Sequence, residues 1–255
     1  MKTKYSLLAL LLGSGLCLAQ PAPAASLSLL HGNTYRTYPG DTVEKEILTI
    51  DHFGIWKYGT VYFFYDISYP RRKDDKAEFF GSISPTFSFS KITGQNWSYG
   101  ILQDVSLKLE LEHVSGVTPV YYYGLAYDLK LPYFAFAQIS TVLRDDPNRP
   151  GVGGQLNGAW SIPFGSGRWF QWAFQGFWAA GIVPEGADQF FLMTQPQLLY
   201  DISPYFGTDR SSAQVGVEYS YAINRYLKKG YVTAAGTTDP GFDERVVQAM
   251  IKLNY

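Results

Sequence analysis

The chain has 255 residues, a formal net charge of −1 at pH 7 and 17% charged residues, against about 25% in ordinary soluble domains. A charge this close to neutral gives a polyanion such as nucleic acid nothing to bind, and the one cysteine, Cys17, excludes a disulfide framework. Aromatics are abundant instead, with 20 Tyr, 17 Phe and 6 Trp.

The first residues set the compartment. Lys2 and Lys4 form a basic start, Leu7 to Leu18 an apolar stretch, and Ala19, Ala22, Ala24 and Ala25 a small-residue region. This pattern predicts a secretory signal peptide over 1–25, cut after Ala19, Ala24 or Ala25, and a mature domain over 26–255. The apolar stretch is too short to span a bilayer as a helix, and nothing later approaches the required length. A membrane fold for 26–255 therefore has to be a closed barrel, the other structure that satisfies every backbone group in lipid.

Strand patterns then follow one another. Ser26–Arg36 is a weak first strand, ended by Tyr38-Pro39-Gly40-Asp41. Glu44–Ile55 and Tyr58–Tyr69 flank a tight turn at Trp56-Lys57. In Tyr58–Tyr69, Val61, Phe63, Tyr65 and Ile67 oppose Tyr62, Phe64, Asp66 and Ser68. After the charged loop Pro70–Lys76 come Ala77–Ser90, a turn at Thr93–Asn96, and Trp97–His113. Within the last, Leu107, Leu109 and Leu111 alternate strictly with Lys108, Glu110 and Glu112, the period-two signature of a strand with one greasy and one charged face.

Pro119–Leu131, Tyr133–Arg144, Gly153–Phe164, Gly167–Gly181, Ala187–Asp201, Ser212–Asn224 and Glu244–Tyr255 complete the set. The count is about twelve, joined mainly by short turns, which predicts an all-β, transmembrane, antiparallel up-and-down barrel. With both termini periplasmic, the charged loops Pro70–Lys76, Asp145–Gly151 and Arg225–Asp243 fall outside the cell, the usual asymmetry of bacterial outer-membrane barrels. The final alternating strand ends on Tyr255, a terminal aromatic suited to the barrel-assembly machinery. Outer-membrane lipid and lipopolysaccharide are the expected surroundings of a monomer.

If the greasy parity meets lipid, the other parity lines a lumen. It offers rings at Tyr62, Phe64, Phe80 and Tyr122, charges at Asp66, Lys108, Glu110 and Asp128, and amides at Gln171 and Gln175. These ten are the candidate contacts for a small solute with a flat face and hydroxyls. Asp104, Lys130 and Phe134 share that parity. Acids outnumber bases in the predicted lumen, which implies a mild bias against anions. The three histidines, His31, His52 and His113, join no GxSxG, HExxH or P-loop motif and no metal-ligand cluster, so neither an enzyme nor a cofactor is expected. An occluded structural or adhesive barrel and a lipid-modifying enzyme are the alternatives to a channel.

Two stretches resemble a known family. Glu46–Ile67, EILTIDHFGIWKYGTVYFFYDI, and Ser84–Tyr99, SPTFSFSKITGQNWSY, followed by Gly100, are similar to the aromatic-rich hairpin and the P-x-F-S…K-[IL]-T segment of the Tsx family of nucleoside-specific outer-membrane channels, which includes OmpK-like proteins. Gly100 is followed here by Ile101 where the family pattern has proline. The resemblance implies a twelve-stranded monomeric barrel with a narrow pore that binds and passes nucleosides.

Overall fold

The computed structural model describes residues 25–36, 42–71, 76–147, 151–183, 189–224 and 243–255. Residues 1–24 of the expected signal peptide, with Cys17, the turn at 38–41, and parts of the loops at 70–76, 145–151 and 225–243 lie outside the described residues.

Thirteen β-segments make one antiparallel sheet: β1 (Ala25–Arg36), β2 (Thr42–Trp56), β3 (Gly59–Pro70), β4 (Glu78–Ser88), β5 (Leu102–Val114), β6 (Val120–Leu129), β7 (Phe136–Asp145), β8 (Val152–Ser166), β9 (Phe170–Val183), β10 (Gln189–Thr194), β11 (Gln197–Asp201), β12 (Ala213–Ile223) and β13 (Glu244–Asn254). β10 and β11 both pair with β9 on one side and β12 on the other. They are one strand broken at Gln195-Pro196, so the wall has twelve positions. Proline lacks the N–H that a central strand must donate, and it sits where the ladder can be interrupted.

The ring closes through the weakest sequence element. β1 pairs with β13, from Ser26↔Asn254 to His31↔Ala249. Closure leaves no edge strand and satisfies the backbone without water, the condition for crossing a membrane with strands. Among the described residues, no helix is long and apolar enough to cross one.

The faces are inverted relative to a soluble protein. Outward side chains such as Leu29, Ile83, Leu109, Leu156, Val217, Val247 and Ile251 are exposed. Inward polar ones such as Ser28, Glu218, Glu244 and Gln248 are buried. Exposed apolar area all round a barrel would be untenable in water, and it suits a hydrocarbon surround.

The start of β1 and the end of β13 share one rim with the connections after β2, β4, β6, β8 and β11; this is called the terminal end. The other rim is the loop end. At the terminal end the strands expected from the sequence overrun the observed ones at β4, β5, β6, β7 and β9. β4 stops at Ser88, because Ser88 caps the short helix α1 (Phe89–Thr93) by accepting from Lys91 N, and Gly94 closes it in the left-handed region at φ 70°. Five residues are too few to show helical periodicity. β5 therefore starts at Leu102 rather than Trp97. A second short helix, α2 (Ser203–Phe206), fills the connection after β11.

Candidate functional site

Alternation on every strand turns one row of side chains inward, and the closed wall encloses a continuous cavity of about 2560 Å³. Its lining runs from Ser68 and Thr118 at the loop end to Asp209 and Tyr255 at the terminal end.

One sector of the wall is aromatic. On β3, Tyr62 and Phe64 are two residues apart and stack, with ring centroids 6.0 Å apart and planes at 28°. Phe64 then meets Phe80 of β4 edge-on at 5.4 Å. The three rings form a file along the lumen, and Tyr62 remains 42% exposed to it. Four carboxylates from four different strands line the same cavity as Tyr62: Asp51, Asp66, Glu110 and Glu218.

The opposite sector is a hydrogen-bonded belt. Gln175 Nε2 donates to Gln197 Oε1 (2.9 Å), Gln197 Nε2 to Glu218 Oε2 (2.6 Å), and Gln248 Nε2 to Glu218 Oε1 (2.8 Å). Tyr35 OH donates to Gln248 Oε1. The belt crosses β9, β11, β12 and β13 at one level, because the amides and the acid are direct partners in the ladders, and Tyr35 joins it from β1 through its hydroxyl. Below it, Leu30, Leu199 and Met250 form a buried apolar cluster with Ile47 and Ala173 packed against it. These side chains narrow the lumen on this side, and Leu30 and Met250 still border the cavity.

Charged groups on the wall are paired. Lys108 Nζ lies 3.1 Å from Glu110 Oε2, Lys252 Nζ 3.4 Å from Asp51 Oδ2, and Lys45 Nζ 2.5 Å from Glu78 Oε2. Toward the loop end, Arg144 Nη1 lies 2.7 Å from Asp146 Oδ2. Arg144 Nε also donates to Tyr122 OH (3.2 Å), which donates to Glu112 Oε2 (3.1 Å).

Nine of the ten candidates line this cavity: Tyr62, Phe64, Asp66, Phe80, Lys108, Glu110, Tyr122, Gln171 and Gln175. Asp128 does not. It lies near the terminal end of β6, where Gln138 Nε2 holds its carboxylate at 2.7 Å and takes the lining place itself. Three other expected lumen residues are also off the lining. Asp104 is occupied by the hydroxyls of Ser88 and Ser90. Lys130 and Phe134 lie beyond the end of β6, in the turn before β7.

Sequence reasoning missed Tyr35 and Lys45 on the polar wall. Carrying the Asp51 parity back along β2 would have reached Lys45. It also missed the inward Leu30 and Leu199, which carry no polar signal.

Two of the three histidines lie on the outer surface, and the third, His52, borders the cavity near the terminal end of β2. His113 Nδ1 lies 3.1 Å from Tyr65 OH on the outer surface, and His31 Nε2 is 3.8 Å from Glu44 there. Among the described residues, no three His, Cys, Asp or Glu side chains converge to hold a metal ion.

Comparison with known proteins brings in a family. The family described as nucleoside-specific channel-forming protein, Tsx, matches residues 28–164, more than half of the chain. No curated protein matches the sequence. Among solved structures, the NanC porin has a TM-score of 0.48 at 10% identity, covering 90% of this chain and 98% of its own. The KdgM porin in complex with disordered oligogalacturonate gives 0.46 at 9%, covering 90% and 99%. OmpT, an outer-membrane protein of Vibrio cholerae, gives 0.38 at 8%, covering 92% and 100%. These likenesses are too distant to bear on what this chain passes.

Proposed function

We propose that this chain, which belongs to the Tsx family of nucleoside-specific channel-forming proteins and is an outer-membrane channel for small solutes rather than an enzyme, passes nucleosides by passive diffusion. The observation that carries this is the file Phe80–Phe64–Tyr62, with carboxylates along the wall and amides across the lumen from it. A nucleobase can stack on successive rings whatever its identity. The ribose hydroxyls find acceptors at Asp66 and Glu110 and amides at Gln171 and Gln175. Each contact is exchangeable with water, so binding is strong enough to admit the solute and weak enough to release it, the balance that conduction needs.

In the membrane the terminal end faces the periplasm, so solute arrives at the loop end, and the barrel works as a monomer. Lipid and lipopolysaccharide surround it, and the β13 strand with Tyr255 is the handle for barrel assembly. The leader ends at Ala19 or Ala24 in this reading. Ala25 is then retained, and its carbonyl accepts from Tyr255 N at 2.9 Å. Mass spectrometry of the mature N-terminus checks this, and a chain starting at Ser26 contradicts it.

The transport reading is tested in planar bilayers. Adenosine titrated onto single channels should reduce the ion current in a saturable way. A current that no nucleoside reduces would sink the nucleoside claim and leave the channel standing.

A further inference from the structure

Phe53 on β2 and Phe136 on β7 are five positions apart in a ring of twelve, nearly opposite one another across the lumen. Both point inward and both line the cavity. Their rings nevertheless meet, with centroids 6.2 Å apart and planes at 59°. Among the described residues, every other ring contact joins elements no more than two strands apart. This one bridges the channel.

The pair sits close to the terminal end. Phe53 is three residues before the end of β2, and Phe136 opens β7. Neither backbone belongs to a turn. Phe53 pairs with Tyr62 in the β2–β3 ladder, and Phe136 pairs with Ser161 in β7–β8. With both backbones fixed, only the rings can move, and rotamer changes of partly exposed side chains are fast. Through the Phe53–Tyr62 pairing, the bridge also stands at the foot of the Phe80–Phe64–Tyr62 file. A solute leaving that file meets Phe53 next.

An apolar bridge across a narrow water-filled passage has a definite effect on ions. It offers no hydrogen bond to replace a lost hydration shell, and apolar constrictions limit ion flow by excluding water. A flat apolar face can exchange one ring contact for another as it passes.

We propose that the Phe53–Phe136 pair is the constriction of this channel, the point that limits ion conductance while admitting a stackable solute. The inference rests on the channel reading and does not require that the solute be a nucleoside.

The test is single-channel conductance in potassium chloride, with no nucleoside present, for the wild type, Phe53→Ala, Phe136→Ala, the double substitution and Phe190→Ala. Phe190 is an exposed residue whose neighbour Phe191, not itself, lines the cavity. Each single lumen substitution should raise conductance about twofold or more, since removing either ring breaks the bridge. The double should add little, and Phe190→Ala should match the wild type. Phe53→Leu, which keeps an apolar side chain that fills space, should fall between, and it serves if an alanine variant folds poorly.

Conductance unchanged in both single variants overturns the proposal, as does full additivity in the double. Adenosine is added to the same channels in a separate run. If it blocks them while the alanine variants conduct like the wild type, the constriction is wrong and the nucleoside reading stands. If the variants conduct more and no nucleoside blocks, the reverse holds.

Discussion

Lys108 Nζ and Glu110 Oε2 lie 3.1 Å apart on the inner face of β5, and Leu109 between them points the other way into the surround of the barrel. Three consecutive residues therefore sample two solvents. Leu109→Arg should destabilise the folded barrel by about 2–4 kcal/mol, the cost of an arginine near the bilayer midplane. Lys108→Gln should leave folding intact and change conductance. Urea unfolding in lipid vesicles and bilayer recording check the two, and equal behaviour would refute the assignment of faces.

The ring file predicts a second result. Phe64→Ala removes the ring that touches both Tyr62 and Phe80. Loss of one base-stacking platform is worth about 1–3 kcal/mol, so half-maximal adenosine block should need roughly ten times more nucleoside or beyond. A variant blocked at wild-type concentrations would show that solute does not use this wall.

Selectivity among ions follows from the carboxylates of the wall. With Asp51, Asp66, Glu110 and Glu218 all lining the cavity, the channel should prefer cations, measured as a reversal potential in a salt gradient. Asp66→Asn combined with Glu110→Gln should move that potential toward the anion side. The second change also frees Lys108 from its partner, which strengthens the shift.

Gly81 gives a stability test. Tyr65 of β3 lies over it and stacks on His113 of β5, with centroids 6.1 Å apart and planes at 10°. A Cβ at Gly81 would stand 2.4 Å from Tyr65 Cδ2 and 2.5 Å from the Phe64 carbonyl oxygen. Gly81→Ala should cost about 1–3 kcal/mol through overpacking. Tyr65→Ala in the same chain should recover part of that loss, a coupling that a double-mutant cycle reads directly. Strictly additive losses would mean that the carbonyl contact dominates.

How far the fold could be read from the sequence depends on where periodicity reaches. Alternation assigns β3 and β5 to the correct faces because their rows are long and chemically distinct. It fails at the terminal rim, where Ser88 turns from strand residue into helix cap and Asp104 spends its charge on Ser88 and Ser90. It also fails where proline interrupts a continuous apolar pattern, so the single predicted strand over Ala187–Asp201 is two segments.

The lumen was legible one residue at a time, since parity alone selects Tyr62, Phe64 and Phe80. Contacts between distant strands were not. Nothing local in the chain relates Phe53 to Phe136, 83 positions later, because their meeting depends on the closure of the whole ring of strands.

The inversion of the two faces has a consequence for the chain before it folds. Its greasy residues are dispersed at every second position, so no stretch of the mature sequence is apolar enough to be held by the machinery that inserts helices into a membrane. The lipid-facing coat belongs to no segment. It comes into being when β13 meets β1, and until then the polypeptide can be handled as a water-compatible thread. A substitution that filled several alternate polar positions with leucine would leave the barrel's outside untouched and yet strand the chain in the wrong membrane.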